Sequence, residues 1–262
     1  MLTPRDGQGD GEFPWWLVIL AVTGFWLFYE VWVSQIYSEV MATLVKGIKV
    51  TVLVTLIGYG LACAMGLALA LAGLSRFRAL RQAARLYIEV VRGVPIILWL
   101  YLIGFGGAGL LNVREVGVGP IKIGTYLFLG GVALVVTYSA YVAEVFRAGI
   151  EGVHESQRSG ARSLGLSTWH TNRHVVLPQA VRRVIPPLMN DFISLQKDVA
   201  LVSVLGPIEA LRRADVLQDK LFNFTPFVVA AVLFLCVSIP LTRTADYLLA
   251  KERRTMSGTA VR

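Results

Sequence analysis

Residues 144–206 read EVFRAGIEGVHESQRSGARSLGLSTWHTNRHVVLPQAVRRVIPPLMNDFISLQKDVALVSVLG. This stretch is the longest polar insertion between two apolar segments, and it carries all three histidines and a dense set of arginines. Glycine and proline stand at places where a helix must turn or stop. We interpret its polar part as a cytoplasmic docking loop, set among helices that form a solute path through a membrane.

The composition of the whole chain is that of a polytopic membrane protein. Its 262 residues are 55% hydrophobic and only 16% charged, whereas soluble domains carry about a quarter charged residues. The net charge of +8 fits cytoplasmic loops beside anionic lipid headgroups better than it fits nucleic acid binding. Cys63 and Cys236 lie inside apolar segments, so we expect packed thiols and neither a disulfide nor a metal site.

Six apolar stretches are long enough to cross a membrane, since a spanning helix needs roughly 20 apolar residues. The residues before Trp15 lack the basic region of a signal peptide, so the first stretch is predicted to stay as a membrane helix. The predicted spans are 15–33 and about 49–74, 90–111, 125–146, 184–205 and 225–245. The predicted fold class is therefore an all-α polytopic membrane protein with about six transmembrane helices.

The basic residues set the orientation. Segments 1–14, 75–89, 148–183 and 246–262 hold twice as many lysines and arginines as the segments predicted to face the other side. Loops rich in Lys and Arg stay in the cytoplasm. Both termini are therefore predicted to be cytoplasmic, with residues 1–14 and 251–262 as the two tails.

The second predicted span carries a stripe of small residues. Gly58, Ala62, Gly66 and Ala70 recur every four residues. Small residues at this spacing let two membrane helices approach closely. The stripe favours a tight helix contact over the general abundance of glycine and alanine in membrane helices, and it leaves the partner helix open.

Two features flank the third predicted span. Residues 92–95, RGVP, stand at its start, where a proline is tolerated in a first helical turn. Residues 113–124, rich in valine and glycine, are predicted to form an irregular or short hairpin-like outer loop.

Two short helices are predicted within the polar loop. Ser156 can cap the first helix, and Gly165 can end it in the left-handed conformation. Ser167 can cap the second helix, which is expected to close at Leu177 and Pro178. The exposed side of the bend offers apolar residues among arginines, namely Leu164, Leu166 and Trp169. Such a surface suits a partner with an apolar groove and an acidic rim.

The loop histidines do not predict a metal site. His170 and His174 are four residues apart and share one helix face. Two imidazoles without a nearby carboxylate or thiolate make a poor set of ligands. We expect exposed loop histidines.

Charged and polar residues also occur within the predicted spans. Glu144 lies at the edge of the fourth span with Arg147 on the same face, which fits either a local ion pair or a role in the solute path. The fifth span carries a polar stripe made of Asn190, Asp191, Ser194, Gln196, Lys197 and Asp198. The stripe fits either a structural charge cluster around Lys197 or a path whose donors and acceptors suit a zwitterionic amino acid.

The loop resembles the signature loop of bacterial ABC-importer membrane subunits, whose pattern is E-A-A, three residues, G, nine residues, I, one residue, L-P. The spacing is kept at Ser159, Gly160, Ala161, Gly165, Val175, Leu177 and Pro178. Ser159 replaces the usual Glu of this pattern, and Gly160 replaces the first Ala. The resemblance implies that the loop 155–177 couples to a partner ATPase, with contacts drawn from Ser159, Gly160, Ala161, Arg162, Leu164, Gly165, Leu166, Trp169, Leu177 and Pro178.

The resemblance covers about residues 43–250 and is closest to the polar amino-acid permeases. Residues 92–95 resemble their R-G-T-P, and residues 141–150 resemble A-Y-x-A-E-x-x-R-G-G-I. Residues 176–180 and 193–198 match V-L-P-Q-A and I-S-L-x-K-D. The resemblance implies a five-helix importer core within 43–250, with coupling loop 148–183, to which the helix 15–33 is added.

Such subunits work as pairs, identical or related, with two ATPase subunits and an extracytoplasmic binding protein in the bacterial inner membrane. The chain has no G-x-x-x-x-G-K-[ST] motif, so ATP and Mg²⁺ are expected in the partner and no catalytic residue or cofactor in this chain. A secondary transporter is the alternative, although no repeated half is visible in the sequence. An intramembrane enzyme would need a nucleophile–base or metal constellation that the sequence does not offer, and a purely structural subunit is the remaining class.

Overall fold

The computed structural model describes residues 15–111, 115–118, 121–207 and 209–259, which form a largely helical structure as predicted. The α-helices in these ranges are α1 (Trp15–Val33), α2 (Gln35–Gly73), α3 (Arg78–Gly93), α4 (Ile96–Tyr101), α5 (Gly107–Leu111), α6 (Thr125–Glu151), α7 (Glu155–Ser163), α8 (Thr168–Thr171), α9 (Leu177–Asp198), α10 (Ala210–Leu221) and α11 (Thr225–Thr259). The other elements are π-helical turns at Leu102–Gly106 and Asn172–Val176, a 3-10 helix at Val199–Leu205, and strands β1 (Glu115–Val118) and β2 (Ile121–Gly124). The predicted tail 1–14 lies outside the described residues, as do residues 260–262 of the predicted C-terminal tail.

The first predicted helix has the predicted bounds, whereas the second starts earlier than predicted. Ser34, in extended backbone (φ −108°, ψ 121°), separates α1 from α2. The 39 residues of α2 span about 58 Å at 1.5 Å per residue. Its added N-terminal part buries Val40 and Leu44 in a cluster with Leu27 of α1 and residues of α10 and α11. This tertiary packing, absent from any local pattern, extends the helix back to Gln35.

The small-residue stripe of α2 is buried, and its partner is α6. Gly58, Ala62, Gly66 and Ala70 are all buried. A Cβ built on Gly66 would lie 2.9 Å from the carbonyl oxygen of Ser139 on α6. Because Cβ atoms are essentially never that close to a backbone atom, the two helices can approach this closely only at glycine. The predicted tight contact is confirmed.

The third predicted span is broken. α3 ends at Gly93, and the axis of the segment Ile96–Leu110 is bent by 103° from that of α3. Val94 is extended (φ −109°, ψ 132°), because the ring of Pro95 disfavours the helical region for the residue before it. The prediction of one continuous helix over 90–111 is therefore wrong.

The loop between α5 and α6 contains the predicted hairpin. β1 and β2 pair antiparallel, with Glu115 opposite Gly124 and Val118 opposite Ile121. Residues 112–114 and 119–120 of this loop lie outside the described residues. The hairpin leads directly into Thr125, the first residue of α6.

The fifth helix begins earlier than its predicted span of 184–205. Pro186 and Pro187 lie inside α9, which begins at Leu177. The 3-10 helix continues α9 and stops at Gly206, whose φ of 93° is left-handed. α10, which was not predicted, follows and is capped by the side chain of Glu209.

Among the described residues, three helices are long and apolar enough to cross a membrane, and the bent pair of α3 with Ile96–Leu110 makes a fourth candidate. The three are Gln35–Gly73, Thr125–Glu151 and Thr225–Tyr247. Buried residues of α2, α4, α6, α9 and the 3-10 helix form one hydrophobic core. The predicted count of six spans stays a prediction.

Candidate functional site: a polar loop and the polar residues of α9

The first helix of the loop begins two residues earlier than predicted. His154, not Ser156, is the N-cap of α7, and its Nδ1 accepts a hydrogen bond from the backbone N–H of Ser156 at 3.2 Å. The sequence suggested Ser156 because a serine is the commoner cap. Arg158 donates to the carbonyl oxygen of Ile150 at 2.9 Å, so α7 is also tied to the end of α6.

Gly165 ends α7 as predicted. Its φ is 81°, its N–H donates to the carbonyl of Arg162 at 2.9 Å, and the N–H of Leu166 donates to the carbonyl of Ala161 at 3.2 Å. These two bonds form a Schellman motif, which satisfies the last carbonyls of a helix and requires a left-handed residue. The turn after α7 is therefore fixed by its own backbone.

The second helix of the loop is capped as predicted, but it does not close where predicted. The hydroxyl oxygen of Ser167 accepts from the N–H of His170 at 3.4 Å. The chain then continues through the π-helical turn Asn172–Val176 into α9, and Pro178 lies in the first turn of α9. The loop is therefore joined to a long helix without a break at Leu177.

The predicted coupling residues are exposed, with a single exception. Leu164 is 85% exposed and Trp169 is 67% exposed. Ala161 is buried and packs inward. The other predicted coupling residues are also exposed, namely Ser159, Gly160, Arg162, Gly165, Leu166, Leu177 and Pro178. We call the exposed members of this set the coupling surface.

The loop histidines are exposed, as expected. The rings of His170 and His174 stack with centroids 5.8 Å apart and an interplanar angle of 8°. Within the described parts of the chain, no group of three or more His, Cys, Asp or Glu side chains could hold a metal ion.

Glu144 forms the local ion pair and one longer contact. Arg147 donates from Nη2 to Oε2 at 2.6 Å and from Nε to Oε1 at 3.1 Å. Nη1 of Arg92, at the end of α3, lies 3.7 Å from Oε2 of Glu144. The guanidinium carbon of Arg92 lies 5.5 Å from the centroid of the Tyr141 ring. Sequence reasoning missed the contact of Arg92, because only the fold brings residues 52 positions apart together.

The polar residues of α9 divide into an exposed face and a buried face. Asn190, Ser194 and Lys197 are exposed and lie three or four residues apart on one side of the helix. Among the described residues, Lys197 forms no ion pair with Asp191 or Asp198. The structural charge cluster considered for this stripe is therefore not formed.

The buried face is held by side chains on other helices. Asp198 Oδ2 accepts from the hydroxyl of Tyr138 at 2.8 Å. Gln196, which is 2% exposed, accepts from the hydroxyl of Ser238 at 2.8 Å. Oδ2 of Asp191 is buried without a hydrogen-bond partner in the described parts of the chain. Tyr138 and Ser238 carried no signal in the sequence, since their roles depend on packing between distant segments.

The family of this chain follows from comparisons with known proteins. A family model for the binding-protein-dependent transport system inner membrane component matches residues 58–254. A probable amino-acid ABC transporter permease of Sinorhizobium fredii is 33% identical, over 82% of this chain and 90% of its own length. A nopaline transport system permease of Agrobacterium fabrum is 36% identical, over 74% of this chain and 84% of its own length.

Solved structures of ABC transporters are also similar to this chain. The crystal structure of an amino acid ABC transporter with histidines superposes with a TM-score of 0.73 at 30% identity, covering 82% of this chain and 96% of that chain. A methionine ABC transporter in an inward-facing conformation, at 17% identity and a TM-score of 0.64, shares the fold over 80% of this chain and 96% of its own. These relatives do not favour the alternative of a secondary transporter. The chain belongs to the family of inner membrane components of binding-protein-dependent transport systems.

Proposed function

We propose that this chain is the permease subunit of an ATP-driven importer for a polar amino acid. The observation that carries the proposal is the two-helix loop that bears the coupling surface. Its turn is fixed by its own backbone, and the loop continues without a break into α9. Relatives at 30% identity or more are amino-acid permeases, which supports the solute class. The chain itself is not an enzyme in this proposal, and ATP with Mg²⁺ binds in a partner.

The coupling surface transmits the movement of the ATPase to the membrane. Leu164 and Trp169 project from the loop and suit an apolar groove on the partner, where large apolar anchors supply most of the binding energy. Because the loop runs directly into α9, a displacement of the loop moves α9 as well. The Ser159 position, where the family pattern has Glu, contributes a neutral contact to this interface.

The exposed face of α9 lines the solute path. Asn190, Ser194 and Lys197 are exposed in the single chain, and polar side chains on a membrane helix face protein or water rather than lipid. We infer that this face meets a second permease subunit across the path. Its donors and acceptors suit the charged groups of an amino acid.

The buried partners set the shape of this path. The side-chain oxygen of Gln196 accepts a hydrogen bond from Ser238, and the carboxylate of Glu144 accepts a hydrogen bond from Arg147. Gln196 therefore joins α9 to α11, whereas Glu144 is paired within α6, and neither contacts the solute in the conformation described. The solute-contacting role is assigned to the exposed members of the stripe.

The complete assembly contains two ATPase subunits, two permease subunits and an extracytoplasmic binding protein in the bacterial inner membrane. In this arrangement both termini are cytoplasmic and α1 is a sixth membrane helix outside the core of the family. α1 precedes the residues 58–254 that the family model matches. Its wide exposed apolar surface, which includes Phe25 and Trp32, suits contact with lipid.

The test is purification of the tagged chain from its native membrane in mild detergent, followed by reconstitution into proteoliposomes. We expect an ATPase subunit to co-purify in equal number with the permease subunits, and amino-acid uptake to require ATP together with the binding protein. A chain that purifies alone and transports without ATP would overturn the proposal.

A further inference from the structure

The turn between α2 and α3 lies where the apolar surface of a membrane helix ends. α2 is long and apolar enough to cross a membrane, and its exposed apolar side chains continue as far as Leu71 and Leu74. The next residues, 75–78, read SRFR. An exposed apolar surface on a spanning helix faces the acyl chains of the lipids, and basic residues at its end lie among the phospholipid headgroups. The turn is therefore placed at headgroup level.

The shape of this turn is fixed by its own hydrogen bonds. Nη1 of Arg81 donates to the carbonyl oxygen of Ser75 at 3.1 Å, and the backbone N–H of Phe77 donates to Oγ of Ser75 at 3.2 Å. The N–H of Arg81 also donates to the carbonyl of Phe77 at 3.0 Å. The ring of Phe77 is 75% exposed, so the turn holds a large apolar side chain outward on an ordered backbone.

Beyond the turn, α3 exposes a basic side next to an apolar side. Arg78 and Arg85 are exposed and share one side of the helix, because seven residues make nearly two turns. Leu86 and Val90 are exposed as well, and they share the adjoining side because they are four residues apart. The remaining side is buried, and α3 packs on α2 and α6. Interfacial helices have this division, with the apolar side in the acyl chains and the basic side among the headgroups.

The exposed arginines of this region have no acidic partner in the described parts of the chain. Arg76, Arg78 and Arg85 form no ion pair there, whereas Arg92 on the same helix contacts a carboxylate of α6 at 3.7 Å. Glu89, the one acidic residue in the sequence of α3, lies four residues after Arg85 and is not paired with it. Three unpaired guanidinium groups beside exposed apolar side chains suit a partner with an anionic head and an apolar body.

The bilayer fits this description better than a second protein does. A protein partner would have to cover Phe77 and the apolar side of α3 in addition to the arginines. The acyl chains already lie against the neighbouring Leu71 and Leu74, if α2 crosses the membrane, and the same lipids reach the α2–α3 turn without any further contact. The basic side then meets their headgroups, which are attractive to it only where they are anionic.

We propose that residues 76–86 form a binding site for anionic phospholipids such as phosphatidylglycerol. The guanidinium groups of Arg76, Arg78 and Arg85 bind the phosphate oxygens, for which their planar donors are well suited. Phe77 and Leu86 lie among the upper parts of the acyl chains. This site does not depend on the transported solute or on the ATPase, because it requires only that α2 crosses a membrane.

Site-specific fluorescence quenching measures which lipid lies beside α3. In the chain with Cys63→Ala and Cys236→Ala, Gln82→Cys is labelled with bimane, since Gln82 is exposed and lies between Arg78 and Arg85. The complex purified from its native membrane is reconstituted into phosphatidylcholine vesicles that contain the same small fraction of doxyl-labelled phosphatidylglycerol or doxyl-labelled phosphatidylcholine. We expect the labelled phosphatidylglycerol to quench about threefold more strongly, because anionic headgroups gather at clustered cations. Equal quenching by the two lipids overturns the proposal.

Two sets of variants test whether the arginines cause this preference. Changing Arg76, Arg78 and Arg85 together to Gln should make the two lipids quench equally. Changing the same three residues to Lys should keep at least half of the preference, because the charges remain. A Lys variant as indifferent as the Gln variant would show that charge does not attract the lipid, and it would reject the site. Unfolding midpoints of the complexes check that each variant is folded.

A reference label shows whether the preference is local to α3. Val22 of α1 is 63% exposed and has no basic residue near it in sequence, so Val22→Cys labelled with bimane should be quenched equally by the two lipids. A preference there as large as at position 82 would mean that anionic lipid surrounds the whole protein, and the site would be rejected.

The alternative occupants give different results. Added salt should reduce the preference at position 82, and soluble glycerol phosphate at the concentration of the labelled lipid should leave it unchanged, because the phosphate alone lacks the apolar body. If an acidic protein partner covers this side of α3, the preference would be present in the isolated chain and absent in the complex, and the proposal would be wrong. Since no transport is measured, failure of this test leaves the permease proposal standing.

Discussion

The coupling loop and the buried polar face of α9 hold their polar groups in opposite ways. In the loop, the hydrogen bonds join residues close in sequence, such as Ser167 with His170 and Leu166 with Ala161. On α9, the bonds join distant helices, as Tyr138 with Asp198 and Ser238 with Gln196. The shape of the loop thus depends on hydrogen bonds between residues close in sequence. The interior depends on hydrogen bonds between residues far apart in sequence, which fix the positions of helices.

This difference also predicts whether a substitution in each region affects coupling or stability. A loop whose turns are made by its own backbone should keep its shape when its surface is changed, so changes there should affect coupling more than stability. An interior held by close helix contacts and single hydrogen bonds should respond in stability first. The four substitutions below test this division, beginning with the largest expected effect.

Gly165→Asp should abolish uptake while the protein remains in the membrane. Asp can adopt the left-handed backbone at modest cost, and the space beside Gly165 is open within 4 Å, so the fold survives. The new charge is repelled by the acidic rim expected of the partner. An unpaired charge in an interface costs roughly 1–3 kcal/mol or more, which weakens binding by about 5- to 150-fold or more. The measurement is ATP-dependent uptake in proteoliposomes, with membrane content checked by immunoblot.

The matched control is Gly165→Asn, because Asn also tolerates the left-handed conformation but adds no charge. Its uptake should remain close to that of the unsubstituted chain. Normal uptake by Gly165→Asp would show that the turn does not meet the partner.

Gly66→Ala should destabilise the contact between α2 and α6. The added Cβ would lie 2.7 Å from Cγ1 of Val142 and 2.9 Å from the carbonyl of Ser139. Overpacking of this kind costs typically 1–3 kcal/mol. The measurement is the thermal unfolding midpoint of the purified complex, with Gly60→Ala as control, since a Cβ at Gly60 meets nothing within 4 Å. Equal midpoints for the two variants would contradict the close approach of the helices.

The two regions also differ in what the sequence could predict. Gly165 and Ser167 were found because turn and cap signals act over a few residues. The bend at residues 93–95 contained a Gly and a Pro, but Pro also fits a first helical turn, so the pattern allowed both a break and a start. The start of α9 was predicted too late, at residue 184, because tertiary packing keeps Pro186 and Pro187 inside a helix that begins at Leu177.

The polar region was predicted only as a list of residues. The spacing of Asn190, Ser194 and Lys197 gave the exposed face, because helical periodicity is local. The pairing of Asp198 and Gln196 with Tyr138 and Ser238 depends on which helices pack together, and no pattern along one helix carries that information.

Tyr138→Phe should lower stability by less than Gly66→Ala does. The change removes the hydroxyl that donates to Asp198 at 2.8 Å and leaves the ring packing intact, and loss of a single hydrogen bond typically costs about 0.5–1.5 kcal/mol. Tyr126→Phe is the control, because Tyr126 is exposed. Unfolding midpoints of the complex measure both variants, and a Tyr138→Phe midpoint equal to that of the control would mean that this long-range bond does not hold α6 to α9.

Glu209 makes both local and long-range hydrogen bonds. Substitution of Glu209 should have the smallest effect of the four, seen as a change in how the unfolding midpoint depends on pH. Its carboxylate accepts locally from the backbone N–H groups of Leu211 at 2.9 Å and Arg212 at 2.7 Å. It also accepts from the hydroxyl of Thr51 on α2 at 3.4 Å. Burial raises the pKa of Glu209 above its ordinary value, and the hydrogen bonds from Leu211, Arg212 and Thr51 oppose only part of that rise.

Because the pKa of Glu209 is higher in the folded chain, the folded state keeps a proton that the unfolded state releases. Stability from this group therefore falls as the pH rises from the ordinary pKa of a glutamate to the raised value, and it is constant above that window. Glu209→Gln keeps an acceptor for the cap but cannot titrate. The difference in unfolding midpoint between the unsubstituted chain and Glu209→Gln should decrease with rising pH across this window. A difference that increases instead would mean that the local cap, which favours the charged carboxylate, outweighs the burial imposed by packing against α2.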